Sequence, residues 1–286
     1  MYKYRIEVKG NFQPAGSDRI EGVGERQAPE GQVDADIRHH QSQWDAFSVA
    51  EYERACAGFR PVLEAIDAVG FKYCRGAILE IGCGSGRFLE RLAERGEKNV
   101  VGIDISIGML QAAAGKGLRG LVSAAGERLP FGPSCFDTVV ASWSVFKYLD
   151  RSRAHAEVHR VLRPNGYLVF DLINYWPSII DRIWQHRGRG RTQSLAQIFG
   201  DYMLRLNMRS ARAEVRHLER AGLRLVEMRS VKYLPLLRGR VQRLGYWPGY
   251  WGSRIGYDTV FVCQKTGGDV SRRPRALAVP RQARPS

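Results

Sequence analysis

From Ala77 onward, short continuous apolar runs take turns with longer amphipathic stretches, and this succession predicts alternating strands and helices. AILEI (77–81) reads as a buried strand, Gly82 to Gly86 as a turn, and Arg87 to Arg95 as an amphipathic helix. NVVGIDIS (99–106) is a second buried strand and leads into the apolar IGMLQAAA. Further strands are predicted at DTVVASW (137–143) and GYLVFDLIN (166–174), with a helix ahead of Arg163-Pro164-Asn165-Gly166. The last part reads as the helix ARAEVRHLERAG, the strand LRLVEMRSVKYL and a final strand GYDTVFVCQK. Right-handed crossovers in such an α/β chain place the carboxyl ends of the strands on one rim, where a site must lie.

The flanks follow a different pattern. Residues 1–33 are rich in Gly, Pro and charge, with only YKYRIEV resembling a strand, and read as a flexible or peripheral arm. Residues 34–75 form a helical cap in which Asp34 to Val69 makes one or two helices. The main domain then covers 76–268 with an insertion at about 172–209, and 269–286 is a basic disordered tail. No internal repeat is apparent.

Gly82, Gly84 and Gly86 let the backbone turn tightly and approach a ligand closely, as nucleotide-binding turns do. Asp104 ends the second strand 22 residues after Gly82, where an acidic group accepts ribose hydroxyls in dinucleotide-binding units. The same aspartate suits a helix N-cap before IGMLQAAA, and both readings stay open. A dinucleotide is disfavoured, because Arg87 and Phe88 stand where Gly-x-Gly-x-x-Gly needs its third glycine.

Glu80-x-Gly82-x-Gly84-x-Gly86, Asp104-Ile105-Ser106 with Met109-Leu110, Leu129-Pro130-Phe131, Phe136-Asp137 and Leu162-Arg163-Pro164-Asn165-Gly166 follow in order over about residues 76–174. In these motifs the chain resembles the class I S-adenosylmethionine-dependent methyltransferases of the ubiquinone/menaquinone-biosynthesis-like group (methyltransferase type 11). The resemblance implies a doubly wound, seven-stranded, mostly parallel Rossmann-like sheet with an antiparallel last strand, and S-adenosyl-L-methionine as cofactor. It places Gly82, Cys83, Gly84 and Gly86 under the methionine end, with Glu80 near the ammonium group. Asp104 would hold the ribose, Ile105 and Met109 would flank the adenine, and Ser142 and Trp143 would sit beside the methionine moiety and the methyl. Ala125 departs from the family aspartate that binds the adenine amino group, so either that role passes to backbone at Gly126 and Glu127 or cofactor affinity is lower than in typical relatives. The N-terminal helices would lie over the cofactor mouth, with His39, His40 and Trp44 as contacts and Phe47 and Tyr52 in core packing.

Composition narrows the setting. No apolar run approaches the ~20 residues of a membrane helix, the N-terminus lacks a secretory stretch, and a cytoplasmic location is expected. Five widely spaced cysteines without a Cys-x-x-Cys pair suggest neither disulfides nor a metal site, and Cys83 reads as a small side chain filling the glycine turn. Net charge is +15, yet residues 151–286 hold 26 Lys and Arg against nine Asp and Glu. Arg187, Arg189 and Arg191 alternate with glycine there. Either they form a solvated basic loop, or they contact a phosphate-bearing substrate, nucleic acid or an acidic lipid surface.

A sulfonium methyl is already activated, so the chemistry asks for alignment and, for a hydroxyl or acidic carbon, a proton acceptor. Weak catalytic candidates are His39, His40, Tyr148 and Asn174, the last with Tyr175 and Trp176 at the base of the insertion. His155 and His159 read as surface residues, while His186 and His217 have no supporting neighbours in the sequence. Tyr246, Trp247, Tyr250 and Trp251 read as a satellite core or, if exposed, an aromatic contact for a lipid-like substrate. The expected function is methyl transfer to an oxygen or carbon of a small, lipid-like or anionic metabolite. Alternatives are an RNA-modifying methyltransferase that uses the basic half, though the Asn/Asp-Pro-Pro-aromatic signature is absent, and a non-catalytic S-adenosylmethionine-binding protein.

Overall fold

Central strands that are buried at successive positions, with neighbouring side chains on opposite faces, build a sheet covered on both faces. A computed structural model describes residues 30–173, 211–231, 246–248 and 258–267. YKYRIEV, Asn174 with most of the expected insertion, His186, the arginine–glycine segment and the 269–286 tail lie outside the described residues. Eight strands are described: β1 (Ile78–Ile81), β2 (Val100–Asp104), β3 (Leu121–Ser123), β4 (Phe136–Ala141), β5 (Leu162–Ile173), β6 (Leu223–Val231), β7 (Tyr246–Pro248) and β8 (Asp258–Lys265). They lie in the order β3-β2-β1-β4-β5-β8-β6-β7. The first five are parallel, β8 runs antiparallel between β5 and β6, and β7 pairs antiparallel with β6.

The expected mostly parallel, doubly wound sheet with an antiparallel last strand is therefore present. β7 adds a short edge strand from the segment that reads in sequence as a connection. Its Tyr246 is half-buried against the core and donates its hydroxyl to the Ala65 carbonyl at 2.7 Å, while Tyr250 and Trp251 lie outside the described residues.

Three helices precede the sheet, where one or two were expected: α1 (Glu30–Ala46), α2 (Val49–Gly58) and α3 (Arg60–Gly70). Ser48 is extended, with φ −65° and ψ 127°, and breaks the first from the second. Phe59 leaves helical geometry with φ −104° and ψ 11°, and Pro61 begins the third helix where its missing N–H costs nothing. The remaining helices are α4 (Arg87–Glu94), α5 (Ile107–Gly115), α6 (Arg151–Val161) and α7 (Ala211–Arg220), with a 3-10 turn at Val145–Lys147.

The two faces of the sheet hold separate cores. Leu79, Ile81, Val139, Leu168 and Phe170 pack with Ala154, Val158 and Val161 of α6 and with Val215 and Leu218 of α7. Their strand neighbours Ile78, Val140, Val169 and Val262 face the other way, onto Val62, Ile66 and Val69 of α3 and Phe88 and Leu92 of α4. This is the period-two split of a central sheet in a three-layer domain.

Two histidine expectations fail here. His155 is fully buried, its ring 4.9 Å from that of Phe146 and 5.2 Å from that of His217. His217 therefore has a close neighbour after all, because α6 and α7 pack on the same sheet face with Arg151 and Glu214 ion-paired between them at 2.5 Å. The one-dimensional pattern of α6 shows helix period, but not that a later helix covers its polar side.

Candidate functional site

The rim formed by the carboxyl ends of β1, β2 and β4 gathers most of the residues singled out in sequence. The three glycines after β1 take φ of 69°, 54° and 85°, a left-handed geometry that a side chain would strain. The Gly84 N–H donates to Asp104 Oδ2 at 2.8 Å, so the first turn is tied to the end of β2. Asp104 Oδ1 accepts the Ser106 N–H at 2.9 Å. The helix N-cap of α5 is not Asp104 but Ser106, whose hydroxyl accepts the Met109 N–H at 3.4 Å. Asp104 is left as a half-buried carboxylate between the glycine turn and β2, with its pKa raised by burial against the opposing backbone hydrogen bonds.

Glu80 lies on the α3 and α4 side of the sheet and is 3% exposed. Its Oε2 has no hydrogen-bond partner among the described residues. Burial pushes its carboxyl well above the usual range, opposed by the Arg87 charge. Arg87 opens α4 and is held by Asp67, with contacts of 2.5 and 3.0 Å, while its Nη2 donates to Ser142 Oγ at 3.1 Å. Arg91 also pairs with the fully buried Asp67. A cation in the first turn of a helix opposes the helix dipole, which is the sequence signal that Arg87 serves something other than the helix.

Cys83 is a free thiol, 2% exposed, that packs with Leu89, Leu110, Ala113 and Leu121 away from Glu80. Its side chain fills the turn, and burial raises its pKa. Met109 is 1% exposed, and Ile105 is half-buried. Gly126 is buried against Leu149 and Ile81. Glu127 Oε1 accepts the Asp150 N–H at 3.0 Å, so its carboxylate braces the start of α6 and its backbone is what remains for a ligand.

The N-terminal helices reach over this rim. A Cβ on Gly84 would stand 2.6 Å from the Tyr52 hydroxyl, which places that phenol directly on the glycine turn. The Tyr52 ring is 5.4 Å from Trp143 and 6.5 Å from Trp44, and Trp44 is 5.5 Å from Tyr148. Tyr52, assigned in sequence to core packing, is thus the aromatic residue nearest the turn, and burial raises its pKa well above that of a free phenol. Of the four weak catalytic candidates, Tyr148 stands in the aromatic cluster, His39 is exposed on α1, His40 is half-buried there, and Asn174 is outside the described residues.

The donor set fits a cofactor with an ammonium group and a ribose: a buried carboxyl oxygen lacking a donor, and an aspartate tied to a glycine turn. Among the described residues no cluster of His, Cys, Asp or Glu is arranged to hold a metal ion, and no helix is long and apolar enough to cross a membrane.

Comparisons agree with this geometry. Residues 79–170 match the family model described as a methyltransferase domain. A malonyl-[acyl-carrier protein] O-methyltransferase of Methylovorus sp. is 32% identical over 123 residues, covering 39% of this chain and 41% of the relative. A demethylmenaquinone methyltransferase of Thermobifida fusca is 33% identical over 119 residues, covering 40% of this chain and 48% of the relative. The chain thus spans less than half the length of these curated relatives. In fold, a solved S-adenosylmethionine-dependent methyltransferase from Thermotoga maritima superposes with TM-score 0.61 at 20% identity, over 79% of this chain and 99% of that one. The geranyl diphosphate C-methyltransferase of Streptomyces coelicolor, solved with S-adenosyl-L-homocysteine, gives TM-score 0.54 at 15% identity over 81% and 98%. The glycine turn and Asp104 lie inside residues 79–170, so the stretch that carries the geometry of the site is the one that matches the methyltransferase-domain model.

Proposed function

We propose that this chain transfers a methyl group from S-adenosylmethionine to an oxygen or carbon of a small molecule, free or carried on a larger one. The observation that carries the reading is Glu80 Oε2, a buried carboxyl oxygen without a donor beside a positive-φ glycine turn. Such an atom costs free energy until a ligand supplies a donor.

Gly82, Cys83, Gly84 and Gly86 would pass backbone beneath the methionine end, Glu80 would receive the ammonium, and Asp104 would accept the ribose hydroxyls. Ile105 and Met109 would flank the adenine, with backbone at Gly126 and Glu127 on its edge. Ser142, already fixed by Arg87 at 3.1 Å, would border the methionine moiety. When bound, S-adenosylmethionine supplies a methyl carbon activated on a sulfonium. The protein's part is then to align the acceptor and to exclude water, for which Tyr52, Trp44, Trp143 and Tyr148 provide an apolar cover. The curated relatives include enzymes named for malonyl-carrier protein and for demethylmenaquinone, which supports a metabolite acceptor.

Calorimetry with S-adenosylmethionine and S-adenosylhomocysteine tests the assignment. Asp104→Ala is expected to weaken binding by the worth of a charge-assisted hydrogen bond, roughly 1.5–3 kcal/mol. Unchanged affinity in that variant refutes the ribose role.

A further inference from the structure

A second pair of acids lies on the same rim, beyond β4. Asp171 is fully buried on β5. Its Oδ1 accepts the Trp143 N–H at 2.6 Å, and its Oδ2 accepts the Ser144 N–H at 2.7 Å and the Ser144 hydroxyl at 3.0 Å. Asp258, 1% exposed, opens β8 and is hydrogen-bonded to Asp171. Strand register puts Asp258 opposite Ile173 and Val231, the last residues of β5 and β6. The pair therefore stands on the same rim as Glu80 and Asp104, separated from them by β4.

Asp171 is saturated as an acceptor, so it is the anion of the pair and their common proton lies on Asp258. Burial and the neighbouring carboxylate both raise the Asp258 pKa, in keeping with that assignment. Lys147, from the 3-10 turn, faces both acids electrostatically, and burial lowers its pKa to about 8. Asp258 Oδ1 has no hydrogen-bond partner among the described residues. It is a buried acceptor oxygen at the rim that lacks a donor, which a hydroxyl-bearing ligand would supply.

We propose that the Asp171 and Asp258 pair takes the proton of the methyl acceptor through Asp258 Oδ1, so that the reacting atom is a hydroxyl oxygen or an acidic carbon and not a carboxylate. This rests on the methyl-transfer reading above. The acceptor atom bonds to the methyl carbon as the carbon–sulfur bond breaks, with that electron pair staying on sulfur. The acceptor's proton passes to Asp258 Oδ1, and the proton already on Asp258 moves to Asp171. The pair goes from one negative charge to none as the sulfonium charge is lost, so the buried site keeps its net charge. A carboxylate acceptor has no proton to give and would be repelled by the anionic pair.

The test uses the full chain with two probe acceptors, 1,4-naphthohydroquinone and a malonyl-carrier protein carrying a free carboxylate, and reads S-adenosylhomocysteine release. The hydroquinone is expected to be methylated in preference. Asp258→Asn should lower kcat about 100-fold or more while S-adenosylhomocysteine affinity stays within about twofold. Lys147→Met, which keeps the pair but removes the cation, should move the acid limb of the pH–rate profile to higher pH. Preferred methylation of the malonyl carboxylate, or wild-type turnover in Asp258→Asn, overturns the proposal. Where neither probe turns over, infrared difference spectra decide: a protonated-carboxyl band near neutral pH that is lost in Asp258→Asn supports it, and no such band in the wild type overturns it. Failure of the wild type to bind S-adenosylhomocysteine is instead the failure of the methyl-transfer reading, and the infrared band still reports on the pair.

Discussion

Removing the Asp171 carboxylate should be among the most damaging single changes on the rim. Trp143 and Ser144 follow β4 with φ of 67° and 58°, a region that side chains other than glycine visit at a cost of about 1–3 kcal/mol each. What holds them there is visible: both N–H groups and the Ser144 hydroxyl end on Asp171, and Ser144 Oγ in turn accepts the Ile173 N–H at 3.0 Å. Asp171→Ala leaves two backbone donors without an acceptor, at about 1–3 kcal/mol each. Relaxation of the strained turn returns part of this, so the net loss is about 2–4 kcal/mol. Asp171→Asn should lose nearly as much, because its amide presents a donor to one of the same N–H groups. Urea unfolding followed by tryptophan fluorescence measures it: with a slope of about 3 kcal/mol/M, the midpoint falls by about 1 M. A variant Asp171→Asn within about 0.5 kcal/mol of the wild type would refute the account of this turn.

Two further outcomes follow from the glycine side of the rim. Because burial raises the Glu80 pKa, its contribution to the stability of the unliganded protein is fully present below the ordinary glutamate value and is lost as pH rises through the folded value. Glu80→Gln should remove that loss, so its melting temperature should exceed the wild type's as pH rises toward neutrality while S-adenosylhomocysteine binds at least about tenfold more weakly; a variant with an unaltered pH–melting curve contradicts the burial argument. Gly84→Ala would force a side chain at φ 54° to within 2.6 Å of the Tyr52 hydroxyl, and should cost at least about tenfold in S-adenosylhomocysteine affinity by calorimetry. Wild-type affinity in Gly84→Ala would show that the turn does not approach the ligand.

The two halves of the rim were legible in the sequence to different degrees, for a physical reason. Strand, turn and second strand from Ala77 to Ser106 are contiguous, so period and glycine spacing locate Glu80, Gly84 and Asp104 without knowledge of the sheet order. Asp171 and Asp258 are brought together because β8 inserts antiparallel between β5 and β6, and nothing local in YLVFDLI or DTVFVCQ encodes that insertion. The signal available was weaker: one acid inside a strand that is otherwise apolar on both faces must have a partner. Tyr52 was missed likewise. The helical period of α2 shows that the tyrosine is on an inward face, whereas its meeting with Gly84 depends on how α2 lies over the rim. His155 shows the converse error, an apparently polar helix face covered by α7.

Four buried or half-buried acids, Glu80, Asp104, Asp171 and Asp258, lie near the rim ends of β1, β2, β5 and β8, with β4 between the two pairs in the order β2-β1-β4-β5-β8. Burial raises the pKa of each, so the unliganded fold carries negative charge on Glu80, Asp104 or Asp171 only at a cost, while the shared proton neutralises Asp258. Arg87 offsets one end of this row and Lys147 the other, and both cations are themselves anchored to protein carboxylates or face them. A row of that sign makes the rim a poor host for an anion and a favourable one for a cationic ligand such as a sulfonium. The same row gives the reaction an asymmetry: once the positive charge is discharged, an acid that has taken up a proton at Asp258 no longer needs a cation beside it. Glu80 and Asp104 have no such relief, since they face groups whose charge does not change. On this reasoning, binding strength resides on the β1 and β2 side and sensitivity to the acceptor's acidity on the β5 and β8 side, which is why the two sets of substitutions are expected to separate affinity from turnover.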